Sequence, residues 1–134
     1  MYRLIFFAFC VMCLSGPSYS QFKLDIEITG IRNNKGNIML QLFDENEKVL
    51  NQEKGPITDN KCKFSFTNLI AGKYAVRYYH DENQDGRMET NLVGKPTEGY
   101  GFSNNVTRKF GPPSFEKWLF EMKRDTLIFL KPTY

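Results

Sequence analysis

The chain has 134 residues, with 18 Lys and Arg against 15 Asp and Glu, so its net charge at neutral pH is +3. This length suffices for one domain with a modest hydrophobic core and is too short for two ordinary domains. The charge is too balanced, and the cations too scattered, to imply nucleic acid or an anionic membrane as a partner. We therefore expect one domain that binds no nucleic acid.

The first 20 residues have the pattern of a secretory signal peptide. Arg3 forms a short basic region, an apolar run extends over residues 4–14, and small residues stand at Ser18 and Ser20. The apolar run is shorter than the roughly 20 residues that span a bilayer, which disfavours a membrane anchor. The pattern predicts a signal peptide of residues 1–20 and a single exported domain of residues 21–134, without a transmembrane segment, in the periplasm or outside the cell.

Cysteine usage is sparse. Cys10 and Cys13 lie inside the apolar run and are not preceded by the small residues of a lipoprotein signal, so both leave with the signal peptide. Cys62 then remains alone, and an intrachain disulfide is impossible. Because Cys62 alternates with Phe64 and Phe66, we expect a buried small apolar residue rather than a nucleophile.

Alternation of apolar and polar residues predicts a domain made of short strands. Residues 23–30 and 37–44 alternate on either side of the turn sequence NNKG, which predicts a β-hairpin. Residues 47–52 predict a short edge strand, 53–60 a loop, and 61–69 and 71–81 two further strands.

The rest of the chain is less regular. Residues 86–110 show no sustained period and predict one long loop after the fifth strand. Residues 115–123 fit a helix or a strand, and the surrounding short strands favour a strand; residues 126–130 alternate again. About seven strands without a convincing helix predict an all-β, antiparallel two-sheet sandwich of the immunoglobulin-like kind. Its expected core is Leu24, Ile26, Ile28, Ile38, Leu40, Leu42, Phe64, Phe66, Tyr74, Val76, Tyr78, Ile128 and Leu130.

The stretch HDENQDGRMETN, residues 80–91, carries oxygen side chains at alternate positions. It matches the first part of an EF-hand calcium loop, in which alternate residues aim their oxygens at one hard cation. Gly86 permits the turn that directs the next backbone carbonyl to the same centre. The predicted calcium ligands are Asp81, Asn83, Asp85, the carbonyl of Arg87, and Glu89.

The stretch also departs from an EF-hand. Leu92 occupies the twelfth position, where a bidentate Glu belongs, and a strand precedes the loop where a helix belongs. An EF-hand is thereby excluded, and a calcium site completed by Asn91, Glu98 or water would be weak, with a dissociation constant of roughly 10⁻⁴–10⁻³ M. An ordinary polar turn uses the same residue types, so both interpretations stay open.

Four motifs resemble the secreted bacterial family catalogued as domain of unknown function 2141. They are Gly72 to Val76 (GKYAV), His80 to Gly86 (HDENQDG), Gly94 to Asn104 (GKPTEGYGFSN) and Gly111 to Phe115 (GPPSF). The resemblance covers most of the predicted mature chain. It implies a prealbumin-like or carboxypeptidase-regulatory-like β-sandwich, and it implies no activity.

The remaining candidate residues lie in and beside residues 97–105, TEGYGFSNN. His80 is the only histidine, and a hydrolase would have to use it with Ser103 as nucleophile and Asp81 or Glu98 as orienting group. The segment could also form a ligand-binding lip, because aromatic rings beside amides suit sugar or peptide recognition. The possible ligand-binding residues are His80, Glu98, Tyr100, Phe102, Ser103 and Asn104.

The leading hypothesis is an exported, monomeric, non-enzymatic module whose partner is a protein or glycan of the cell envelope. Calcium bound by residues 81–91 would order the long loop and present Tyr100, Phe102, Asn104 and Asn105 to that partner. The two alternatives are the hydrolase based on His80 and Ser103, and a purely structural domain of the envelope without a ligand.

Overall fold

The computed structural model describes residues 19–134 of the chain. The predicted signal peptide therefore lies outside the described residues, apart from its last two. The described residues form eight strands and two single-turn 3-10 helices. The strands are β1 (Gln21–Ile28), β2 (Asn37–Asp44), β3 (Val49–Pro56), β4 (Cys62–Ile70), β5 (Gly72–Asp81), β6 (Tyr100–Phe102), β7 (Phe120–Met122) and β8 (Thr126–Leu130), and the 3-10 turns are Ser103–Asn105 and Phe115–Lys117.

The strands form two sheets. One has the order β4-β1-β8, and the other has the order β3-β2-β5-β6, with β7 also paired to β5. The predicted all-β, two-sheet architecture is confirmed. One pairing within it is parallel, because β8 lies beside β1 with Leu24 opposite Thr126 and Ile28 opposite Leu130.

The apolar faces of the two sheets meet in one core. Every residue of the expected core is buried except Ile128, which is half-buried and packs against the others. Alternation positions these side chains because successive residues of a strand point to opposite faces of its sheet. The same core also contains Ile31, between β1 and β2, Ile57, between β3 and β4, and Met122 of β7.

The predicted hairpin of the first two strands is wrong. β1 pairs with β4 and β8, whereas β2 pairs with β3 and β5 in the other sheet, so residues 29–36 cross between the layers. Both strands still direct their apolar residues into the same core, from opposite sides. Alternation reports which face of a strand is buried and does not distinguish a hairpin from such a crossing.

β3 is longer than the sequence indicates. It extends to Pro56, although residues 53–56 were expected in a loop. Most of its residues are exposed, so no alternating pattern marks it, and its pairing with β2 defines it. Pro56 lies at the last position of this edge strand, where the missing N–H costs little.

A second apolar cluster covers the outer face of the five-stranded sheet. It contains Phe43, Ala75, Phe102 and Trp118, and the rings of Phe102 and Trp118 lie 4.3 Å apart. Residues after β6 fold over this face, which explains why Ala75 is fully buried despite its outward position on β5. The predicted long loop accordingly contains β6, and residues 115–123 contain a 3-10 turn followed by β7. No helix among residues 19–134 is long and apolar enough to cross a membrane.

Cys62 lies in the core, and burial raises the pKa of its thiol to about 11. Because the thiolate is the reactive form, we expect the native protein to resist an aromatic disulfide reagent at pH 8, and to react fully in denaturant. The absorbance of the released thiolate measures both reactions. Labelling of the native protein within seconds would show that Cys62 is accessible.

Candidate functional site

His80 is completely buried at the end of β5, and both of its ring nitrogens have partners. Nε2 lies 2.7 Å from the Lys35 carbonyl oxygen, which can only accept, so Nε2 carries the proton. Nδ1 lies 2.9 Å from the hydroxyl of Tyr134, which in turn accepts the Arg32 N–H at 3.1 Å. His80 therefore joins β5 to the crossing before β2 and to Tyr134.

Ser103 is also completely buried. Its hydroxyl accepts the Val76 N–H at 2.9 Å and donates to the Trp118 carbonyl at 2.5 Å. Val76 lies between the part of β5 that pairs with β6 and the part that pairs with β7. The hydroxyl thus supplies the acceptor that a neighbouring strand would provide.

The structure does not bring His80 and Ser103 together. Ser103 contacts β5 at Val76, four positions before His80, which corresponds to roughly 13 Å along an extended strand. A nucleophile and its base must lie within hydrogen-bonding reach. The catalytic pair that the hydrolase alternative requires therefore does not assemble among these residues.

Asn104 and Asn105 adopt left-handed backbone conformations with φ of 61° and 51°. The Asn104 amide donates to the carbonyls of Lys117 and Leu119, at 3.0 and 2.9 Å. The Asn105 side chain bonds the backbone at the end of β8: it donates to the Phe129 carbonyl at 3.0 Å and accepts the Lys131 N–H at 2.8 Å. Asparagine tolerates this conformation better than most residues, and that preference is the signal in the sequence.

Asp81 holds the start of residues 81–91, hereafter the acidic loop. Only 3% of it is exposed, and its two carboxylate oxygens accept the N–H groups of Asp85 at 3.1 Å and Gly86 at 3.0 Å. Glu98 is 4% exposed and holds the same loop from its far end, accepting the N–H groups of Glu82 at 3.0 Å and Glu89 at 3.2 Å. These two residues, hereafter the carboxylate pair, accept backbone N–H groups of the loop that no neighbouring strand bonds.

The other predicted metal ligands are exposed and bonded within the loop. The side-chain Oδ1 of Asn83 accepts the Asp85 N–H at 3.0 Å, and the side-chain amide of Asn83 donates to the Glu89 carboxylate at 2.8 Å. The Asp85 carboxylate accepts the Arg87 N–H at 2.8 Å. Within residues 19–134, no group of three or more His, Cys, Asp or Glu side chains is arranged to hold a metal ion.

Glu82 connects the acidic loop to the crossing between the sheets. It forms an ion pair with Arg32 and accepts a hydrogen bond from the Asn33 amide at 3.1 Å. Burial opposes ionisation of this carboxyl, but the hydrogen bonds from Asn33 and Arg32 outweigh it and lower the Glu82 pKa. Ionised Glu82 therefore stabilises the fold at neutral pH, and this contribution is lost as the pH falls through the lowered pKa.

A groove lies on the outer face of β5 and β6, between the loop of residues 86–97 and that of residues 106–113. Its volume is about 670 Å³, and it is largely apolar. Tyr100, Phe102, Phe110 and Trp118 supply aromatic surface. Of the residues proposed as a binding lip, Tyr100 and Phe102 thus line the groove, while Ser103 and Asn104 hold the surrounding chain in place.

The charged side chains that line this groove are all cations. They are Arg77, Lys95, Arg108 and Lys109, hereafter the groove cations. In the described part of the chain, none of them forms an ion pair with a carboxylate. Sequence reasoning missed the groove cations, because three of them lie in loops without periodicity and only the fold brings them together.

The fold and the groove define a small β-sandwich domain with one cation-lined apolar site on the outer face of its larger sheet. The chain belongs to the family described as uncharacterized protein conserved in bacteria, DUF2141, whose model matches residues 26–128. This match includes the groove and all strands except the start of β1 and the end of β8, and it confirms the family that the four motifs resemble. No curated protein and no solved structure matches the chain.

Proposed function

We propose that the protein is an exported, non-enzymatic module that binds a small ligand in the groove. The observation that carries this proposal is an apolar volume of about 670 Å³ lined by aromatic rings. Small-molecule sites are mostly apolar clefts of roughly 300–1,000 Å³ with a few polar groups that orient the ligand. The groove has this size and this composition.

The absence of an enzymatic role is part of the proposal, and the environments of His80 and Ser103 support it. Both side chains are fully buried, and each ring nitrogen and the hydroxyl already contact a backbone or side-chain partner. Chemistry at either residue would require these bonds to break. The Ser103 hydroxyl instead holds Trp118, which lines the groove, against β5, and His80 joins β5 to Lys35 and Tyr134.

Export is proposed from the leader pattern of residues 1–20, and the position of β1 supports it. β1 begins at Gln21, so the predicted cleavage after Ser20 would fall directly before the first strand. We also propose a prealbumin-like arrangement of the two sheets. Mass spectrometry of the protein from a bacterial periplasm or culture medium tests export: a chain that begins at Gln21 is expected, and an intact leader would contradict it.

Ligand binding is tested with Nile red, a neutral apolar dye whose fluorescence rises in apolar sites. We expect the purified protein to bind it, and Phe110→Ser to weaken binding roughly tenfold, because an aromatic wall is lost. Phe110 is 75% exposed, so its replacement costs the fold little.

The matched control is Phe129→Ser, which removes a similarly exposed ring from β8, in the other sheet. This variant is expected to bind the dye like the wild type. Equal binding by both variants would overturn the assignment of the site to the groove. Absence of binding to the wild type would favour the purely structural alternative.

Calcium binding by the acidic loop is a second proposal. It is supported by the alternate oxygens of Asp81, Asn83 and Asp85 and by the approach of Glu89 to Asn83 within one loop. Calcium would take over oxygens that now accept backbone N–H groups.

Thermal melting in about 10⁻³ M calcium and in chelator tests the calcium proposal. A rise in melting temperature is expected with calcium, absent in Asp85→Ala and retained in the control Glu45→Ala, an exposed residue of the β2–β3 turn. No shift in the wild type at any calcium concentration would refute it.

A further inference from the structure

We propose that the groove recognises a long-chain fatty acid, with the carboxylate at the groove cations and the acyl chain along the aromatic surface. This inference rests on the proposed ligand-binding function and names the chemical class of its ligand. It follows from the charge of the lining, from the lack of carboxylate and amide side chains in it, and from its apolar extent.

The charge of the lining selects an anion. The groove cations are not neutralised by any carboxylate among residues 19–134. Arg77 is steadied by a hydrogen bond to Gln41, and the Arg108 guanidinium lies 3.4 Å from the Pro112 carbonyl. A carboxylate placed among these donors would form charge-assisted hydrogen bonds, which are stronger than those between neutral groups.

The donors also argue against a neutral glycan. The lining contains no Asp, Glu, Asn or Gln side chain, and its side-chain acceptors are the hydroxyls of Tyr100 and Tyr78, the second of which is buried. A sugar hydroxyl both donates and accepts, whereas Lys and Arg side chains only donate. A carboxylate only accepts, and it therefore matches what these side chains offer.

The apolar surface selects a hydrocarbon chain. It continues beyond the aromatic rings of Tyr100 and Trp118 to Val93 and Phe110, which are 85% and 75% exposed at the edge of the groove. Exposed apolar side chains beside an apolar site lose contact with water when a ligand covers them. A peptide would bring backbone N–H donors to a surface with few acceptor side chains, whereas an acyl chain requires no hydrogen bonds.

The test compares palmitate with palmityl alcohol, which has the same chain and no charge, as competitors of Nile red below their aggregation concentrations. Palmitate is expected to bind at least tenfold more tightly than the alcohol, and laurate more weakly than palmitate, by about fourfold per methylene removed. The triple variant Lys95→Gln, Arg108→Gln and Lys109→Gln is expected to abolish the preference for palmitate and to leave binding of the alcohol unchanged.

A charge-matched triple variant serves as the control: Lys48→Gln, Lys54→Gln and Lys73→Gln remove exposed cations that do not line the groove. It is expected to keep the preference for palmitate. Equal binding of palmitate and the alcohol to the wild type would overturn the inference and leave the ligand-binding function intact. If the wild-type protein bound a lysophosphatidate but not palmitate, the assignment of a carboxylate as the charged group of the ligand would be overturned. If the wild-type protein bound neither Nile red nor palmitate, the ligand-binding function itself would be refuted.

Discussion

Replacement of Asp81 or Glu98 by alanine is expected to destabilise the protein by roughly 2–4 kcal/mol. Each residue of the carboxylate pair is almost completely buried and accepts two backbone N–H groups of the acidic loop. Truncation of Glu98 removes the acceptor of both its donors, whereas truncation of Asp81 removes the acceptor of the Gly86 N–H and leaves the Asp85 N–H bonded only to Asn83. A hydrogen bond to a charged group contributes about 1.5–3 kcal/mol. Urea unfolding in the presence of a chelator measures the change in free energy of unfolding without a contribution from calcium.

The same variants are expected to loosen the acidic loop locally. Arg87 provides a tryptic site in this segment, so cleavage after Arg87 should become faster than in the wild type. Asp85→Ala is the matched control, because the Asp85 carboxylate is exposed and accepts only the Arg87 N–H. It should cost less than about 1 kcal/mol. Similar losses for Asp81→Ala and Asp85→Ala would contradict the role of the carboxylate pair.

Gly36→Ala is expected to destabilise the protein by more than about 3 kcal/mol or to prevent folding. Gly36 adopts φ of +69°, and a Cβ atom there would lie 1.9 Å from the carbonyl oxygen of Asp81 and 2.7 Å from the Cα atom of Glu82. A left-handed conformation alone costs a non-glycine residue about 1–2 kcal/mol. Relief of the clash would have to separate β2 from β5, where Asn37 lies opposite Asp81.

Gly86→Ala separates these two contributions. Gly86 has a nearly identical φ of +74°, but no atom lies within 4 Å of a Cβ placed on it. Only the conformational cost applies, so urea unfolding should show a loss of about 1–2 kcal/mol. Equal losses for Gly36→Ala and Gly86→Ala would show that the contact with β5 contributes nothing.

The residues that order the loops after β5 also shape the groove. The carboxylate pair orders residues 82–98, and this segment forms one side of the groove. Ser103, Asn104 and Asn105 attach the other side to β5, to Leu119 just before β7, and to β8 through hydrogen bonds to the backbone. If the groove binds a ligand, a variant of the carboxylate pair should weaken that binding indirectly, by loosening one wall.

The strands with one buried and one exposed face could be predicted from the sequence. β1, β2, β4 and β5 alternate clearly, and their buried residues match the expected core. β3 could not be predicted in full, since its residues are mostly exposed and its existence depends on pairing. β6 and β7 have three residues each, too few for a period to show.

The candidate site divides in the same way. His80, Asp81, Glu98 and Ser103 stood out as polar residues among motifs, and all four are buried. The sequence could not show whether they serve chemistry or hold the backbone, because that depends on partners distant in the chain. Lys35 lies 45 positions from His80, and Trp118 lies 15 positions from Ser103.

The sequence by itself determined the family, the β class and the buried face of β1, β2, β4 and β5, because motifs and alternation are local properties. Only the tertiary structure decided that β1 and β2 lie in different sheets, that Asp81 and Glu98 hold one loop together, and that four cations meet around an apolar groove. These features arise from strand pairing and loop packing between residues far apart in the chain. The acidic stretch after β5 thereby has a structural role that its spacing alone did not reveal.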